Sequence, residues 1–161
     1  MQKEDYIWGL LRLFLGLIFL WAFFDKLFGL GFATVSDKSW LSGNSPTFGF
    51  LKFGVHGPFA PFYNTIAGNI VVDLLFMAGL LFVGIALTFG ILVRLGGYTG
   101  ITMLFLMWTS LLPPENHPFL DEHVIYILVI IGLILANAGN YFGFGRFWSN
   151  LKIVKRYKIL M

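Results

Sequence analysis

Four long apolar stretches constrain this chain more than any other feature. They cover residues 6–28, 66–89, 95–112 and 124–142 of a 161-residue sequence. Each reaches the roughly 20 residues that a helix needs to cross about 30 Å of hydrocarbon. Few charges interrupt them. Asp, Glu, Lys and Arg make up 12% of the residues, about half the quarter or so found in soluble domains. The pattern predicts an all-α fold, an integral membrane bundle of four helices in a single domain. The first stretch is too long for a secretory signal, begins with acidic residues beside Lys3 and lacks a small-residue cleavage site, so it reads as a span.

Orientation follows from Lys and Arg near the span ends. Lys3, Arg94, Arg146, Lys152, Lys155, Arg156 and Lys158 fall on one side, with Arg12 at the edge of the first span. Lys26, Lys38 and Lys52 fall on the other. The richer side is expected to be cytoplasmic, which makes the protein a multi-pass component of the cell membrane with both termini inside. This asymmetry also accounts for the sequence pI of 9.3 without a nucleic-acid partner. The tail over 152–158 interleaves cations with apolar residues and suits an anionic lipid surface. Small residues four apart, Gly96 and Gly100, Gly132 and Ala136, mark helix-packing faces.

The absence of cysteine excludes disulfides, thiolate metal sites, iron–sulfur clusters and persulfide carriage on this chain. His56, His117 and His123 are the three histidines, and none is mid-span, so a haem held by two intramembrane imidazoles is not expected. No flavin motif is present.

Chemistry-bearing residues gather on the outer side. Asp73 is placed about 10 Å below the surface if its helix starts at Ile66. A lone carboxylate there is costly unless paired, hydrated or protonated. It reads either as a proton or substrate site or as a structural group paired with Lys26 or bonded to Asn69. Arg12 and Lys26 are 14 residues apart and share a helix face, expected to point into the bundle. Asp25 reads as a solvated end charge. Before the fourth span, Asp121 and Glu122 suit the positive end of a helix dipole, whereas His123 offers an imidazole that can move a proton near neutral pH. Glu115, His117, Asp121, Glu122 and His123 include metal-ligand types, but their spacing matches no metal motif and no metal is assigned. The long outer loop is unusually apolar, and Ser45 followed by Pro46 predicts a short interfacial helix over residues 46–53, a lid over the outer helix ends. Trp40, Trp108 and Tyr63 read as belt aromatics or as walls of a flat pocket.

These residues carry a resemblance. Arg12-Leu13-Phe14-Leu15-Gly16 with Asp25-Lys26-Leu27, the loop string from Ser39 to Thr47, Ala67-Gly68-Asn69 with Asp73, residues 90–95, Met107-Trp108, and Leu112-Pro113-Pro114-Glu115-Asn116 with Asp121-Glu122-His123 resemble the DoxX/DoxD family of small membrane proteins. That resemblance implies a four-helix membrane bundle and, more loosely, electron transfer to quinone linked to oxidation of a sulfur compound such as thiosulfate. In this reading His123, Asp73 and Glu122 carry the chemistry, and Lys26, Trp40, Trp108, Arg12 and Glu115 bind quinone or substrate. Quinone is the acceptor, and the lipid bilayer, a second redox subunit and another copy of the chain are the partners to consider. The alternative is a non-enzymatic membrane accessory or assembly protein that binds lipid or a partner redox complex, because fold-level likeness does not fix a reaction.

Overall fold

A computed structural model describes residues 2–160. All regular structure among them is helical. The elements are α1 (Lys3–Phe28), α2 (Ala60–Thr65), α3 (Ile70–Phe89), α4 (Val93–Ser110), α5 (Glu122–Leu135), α6 (Gly145–Ser149) and α7 (Lys152–Arg156), with short 3-10 and π turns between them. The four longest pack in a ring: α1 on α3, α3 on α4, α4 on α5, and α5 back on α1.

Two of these helices, α1 and α3, are long and apolar enough to cross a membrane. Their apolar windows are only 33% and 44% buried within the protein, so most of that apolar surface faces outward. Along α1, Arg12, Leu15, Gly16, Phe19 and Phe23 are buried at helical spacing, while Ile7, Phe14, Ile18, Trp21 and Phe28 on the other faces are exposed. A helix that is apolar on every side needs a nonpolar surround on every side.

Of the other two, α4 has the length of its expected span, shifted two residues toward the N-terminus, and α5 is shorter than its expected span. A helix of 18 residues like α4 is about 27 Å long, and one of 14 like α5 about 21 Å. The expected span 124–142 breaks because Asn137 takes a left-handed conformation (φ 47°), and the chain turns through a 3-10 segment, Ala138–Asn140. At its other end, α3 begins at Ile70 rather than Ile66, since the Asn69 side chain accepts the Val71 N–H at 2.9 Å and caps the helix there. Asp73 therefore lies in the first turn of α3, shallower than the sequence spacing implied.

The core runs through Leu15, Phe19, Met77, Val83, Leu87, Ile130 and Leu133. Small residues set the helix separations. A Cβ on Gly96 would lie 2.5 Å from the Ala86 Cβ, and one on Gly132 would lie 2.8 Å from the Trp8 ring. The expected lid helix exists in altered form: residues 48–54 form a wide turn of π character, and α2 adds a second short helix in a stretch expected to be loop.

Candidate functional site

The two ends of the bundle differ in chemistry. At the Arg94 end, Arg12 is fully buried, in agreement with its inward-facing position in the sequence. Its guanidinium donates from Nε to Ala138 O at 3.1 Å, from Nη1 to Leu87 O and to Thr88 O (3.0 Å), and from Nη2 to Tyr141 O at 2.8 Å and Phe142 O at 2.9 Å. A guanidinium has five N–H donors, and five backbone carbonyls take them. Arg12 thus caps the free carbonyls at the C-terminus of α3 and ties them to the turn after α5. About 22 Å of α3 separates Thr88 from Asp73, so Arg12 lies at the end of the bundle opposite the Asp73 cluster.

At the opposite end, Asp73 is buried (2% exposed). Neither Lys26 nor the Asn69 side chain satisfies it. Instead Oδ1 accepts from Ser45 Oγ at 2.8 Å and Thr47 Oγ1 at 2.5 Å. The same Ser45 Oγ accepts the Phe48 N–H at 3.0 Å, which is the capping arrangement expected of Ser45 before Pro46. One hydroxyl therefore starts the lid turn and fastens it to α3. Lys26 Nζ sits 5.9 Å from the centre of the Phe76 ring, one helical turn beyond Asp73. Trp40, whose N–H donates to Lys26 O at 2.9 Å, packs against the core beside it. Asp25 departs from the expectation of a solvated end charge. It is 2% exposed, its Oδ1 accepts the Phe32 N–H at 3.2 Å, and its Oδ2 is buried with no partner. Nothing in the sequence distinguished Asp25 from other helix-end acids.

The segment before α5 forms a second cluster. Asp121 N-caps α5: its Oδ1 accepts the N–H groups of His123 (3.0 Å) and Val124 (3.3 Å). Its Oδ2 lies 2.8 Å from His123 Nδ1, the only contact within 4 Å between a basic and an acidic side chain among the described residues. With Asp121 ionised, His123 carries its hydrogen on Nδ1, which leaves Nε2 free to accept a proton. His123 is 7% exposed; its partner Asp121, but not His123 itself, lines an open cavity of about 300 Å³ together with His56, Glu115, Asn116, Leu120 and Glu122. That volume is at the lower limit of small-molecule sites. His56 Nε2 donates to Pro113 O at 3.0 Å and so joins the segment before α2 to the segment before α5 at the cavity rim. His117 accepts the N–H groups of Phe119 (3.2 Å) and Leu120 (3.0 Å) on Nδ1 and serves the loop rather than the cavity. Trp108 donates from Nε1 to Phe119 O at 2.9 Å. Tyr63 is buried, its hydroxyl donating to Leu106 O at 2.9 Å and lying 2.6 Å from Thr109 Oγ1, so it is a packing residue and not part of an aromatic belt.

Ligand atoms of Asp121, Glu122 and His123 lie within 4.8 Å of one another. Both Asp121 oxygens, however, are engaged by the cap and the imidazole, and we assign no metal there. No hydrogen bond or ion pair among the described residues links the Asp73 cluster to the His123 cluster. Sequence reasoning singled out Asp73 and His123 but missed the partners of Asp73, because Ser45 and Thr47 reach it across 28 and 26 residues through tertiary contact alone. Comparison with protein-family models, curated proteins and solved structures found no match for this chain.

Proposed function

We propose that the protein is a four-helix integral membrane protein, with both termini cytoplasmic, that passes electrons to quinone at its outer face. Thiosulfate or a related sulfur oxyanion is the donor, oxidised by this chain or by a second redox subunit seated on it. The observation that carries this reading is the Asp121–His123 pair beside a cavity rimmed by His56, Glu115 and Glu122. An imidazole oriented by a carboxylate, with its second nitrogen free, can hydrogen-bond a quinone oxygen and exchange a proton with it. Two electrons and two protons convert quinone to quinol, and the donor supplies the electrons. Glu122 and Glu115 provide proton exchange with water at the cavity mouth. Lys26, which has no ion-pair partner among the described residues, places a positive charge near the Asp73 end that favours an anionic donor. The outward apolar faces of α1 and α3 support the membrane placement. The family resemblance supports the choice of reaction.

A second reading is favoured by the Asp73 geometry. With Ser45 and Thr47 as its donors, Asp73 needs no catalytic role, and the chain would serve as a membrane accessory that holds a partner complex or lipid. The two readings separate in membrane vesicles containing the His123→Ala variant. The oxidoreductase reading expects a loss of quinone reduction of about 100-fold, the usual contribution of a general acid–base group. Unchanged reduction removes His123 from the mechanism.

A further inference from the structure

The Asp73 and His123 clusters share no hydrogen bond, yet one stretch of chain reaches both neighbourhoods. Residues 45–56 run as a strap from α3 to the end of α4. The near end is fastened by the hydroxyls of Ser45 and Thr47, both on Asp73 Oδ1. Hydroxyl bonds to a carboxylate are shorter and stronger than bonds between neutral groups. The far end is fastened by His56, whose backbone N–H donates to Ser110 O at 3.2 Å and whose Nε2 donates to Pro113 O at 3.0 Å. A carbonyl can only accept, so the neutral ring carries its hydrogen on Nε2 and keeps Nδ1 as an acceptor. His56 also lines the cavity of about 300 Å³ that Glu115, Asp121 and Glu122 share.

Between its ends the strap is ordered and can pass position from one to the other. Residues 48–54 form one wide helical turn. The Leu51 N–H donates to Thr47 O at 2.9 Å and the Val55 N–H to Phe50 O at 3.1 Å. Leu51 is buried, whereas Phe53 is exposed. Phe48 packs over Gly68, where a Cβ would lie 3.3 Å from its ring. The polar side chains of the strap are Ser45, Thr47, Lys52 and His56. Lys52 is exposed, so every side-chain hydrogen bond that ties the strap to the bundle is at one end or the other.

We propose that Asp73 is a positioning residue for the cavity: by holding Ser45 and Thr47 it fixes the strap, and the strap holds His56 on the cavity rim. Asp73 acts through these side chains and touches no substrate itself. That the cavity takes quinone rests on the reading given above, whereas the coupling of Asp73 to His56 does not. The chemistry separates this role from proton relay. An amide oxygen accepts hydroxyl bonds as a carboxylate does but cannot ionise, so Asp73→Asn keeps the strap in place, and Asp73→Leu releases it.

The test uses the full chain purified in detergent with 13C-labelled histidine. The ring signal of His56 is followed by NMR and assigned by its loss in His56→Gln. Amide hydrogen exchange is measured at Phe48 and Leu51 near one end and at Val55 and His56 near the other. Asp73→Leu is expected to speed exchange at both ends together by about ten-fold or more, the effect of losing hydrogen bonds to a charged group. It is also expected to shift the His56 ring signal while that of His117 stays in place. Asp73→Asn should restore most of both readouts, and Lys52→Gln should leave both at the native level. If Asp73→Leu does not fold, Ser45→Ala combined with Thr47→Val removes the same bonds from the other side and should give the same pattern. Faster exchange at Phe48 and Leu51 with Val55, His56 and the His56 ring unchanged would show that the ends move independently and overturn the proposal. So would native behaviour in Asp73→Leu, or an Asp73→Asn variant as disturbed as Asp73→Leu. No turnover is measured, so failure of quinone reduction leaves this result standing, and the converse holds.

Discussion

Replacing Arg12 tests whether the bundle is held at one end by a single side chain. Arg12→Met keeps most of the side-chain volume and removes every donor. Five backbone carbonyls, those of Leu87, Thr88, Ala138, Tyr141 and Phe142, lose their partner, the first and third in fully buried bonds and the other three in partly buried ones. Bonds from a charged donor contribute about 1.5–3 kcal/mol each when measured alone, but five bonds from one group are not additive. Breaking a buried charged network by removing one partner typically costs 3–5 kcal/mol. Part of that is offset here, because the substitution also removes a charge that was costly to bury. A net loss of about 4 kcal/mol is expected, which corresponds to a fall in melting temperature of roughly 8–16 °C for a chain of this size. The assay is thermal unfolding of the purified protein in detergent, followed by loss of the monodisperse elution peak. Arg12→Lys should recover only part of the difference, since an ammonium has three donors and no planar fork. If Arg12→Met melts within a degree or two of the native protein, the carbonyl-clamp account of Arg12 is wrong.

Other outcomes follow from the opposite end. Thr47→Val combined with Ser45→Ala removes both donors to Asp73 and should release the lid turn, at a cost of about 1–3 kcal/mol for the stranded carboxylate; faster proteolytic cleavage within residues 40–56 would register it. Asp121→Ala removes the α5 cap and the imidazole partner together, and should lower stability by about 1 kcal/mol or somewhat more, whereas Asp121→Asn should retain most of the cap while disturbing the His123 tautomer. A melting comparison of the two variants, set beside their quinone reduction, separates the capping role from the orienting role. Gly57→Ala places a Cβ 1.6 Å from Leu112 O at a residue with φ 77°, so it should force apart the two loop segments that His56 joins. Its readout is loss of protection from hydrogen exchange around residues 55–57 and 111–115.

The long apolar stretches located α1 and α3 because each is one continuous apolar helix that ends in a left-handed glycine C-cap, Gly29 and Gly90. The end of α5 was less legible. Asn137 and the glycines after it lie inside an apolar average that hides a local backbone reversal, and hydropathy alone carried the span seven residues too far. Ser45 before Pro46 gave the start of the lid turn correctly, but not its π character; Phe48 and Phe53, which pack edge to face across it, are five residues apart. The candidate site was legible as residue types and not as partnerships. Asp121 and His123 are close in sequence, so their pairing was within reach of local reasoning. Asp73 with Ser45 and Thr47, and Arg12 with its five carbonyls, are long-range contacts that no spacing rule encodes. Lys26 was expected to answer the Asp73 charge, yet two hydroxyls from the loop do so, and a hydroxyl costs far less to bury beside a carboxylate than a second full charge.

The most direct measurement is anaerobic quinone reduction by the purified protein, with thiosulfate offered as the donor and quinone assayed in a solvent extract of the same preparation. The oxidoreductase account predicts quinol formation that depends on thiosulfate and falls in His123→Ala. A preparation that neither reduces quinone nor carries any would contradict it and leave the accessory reading in its place.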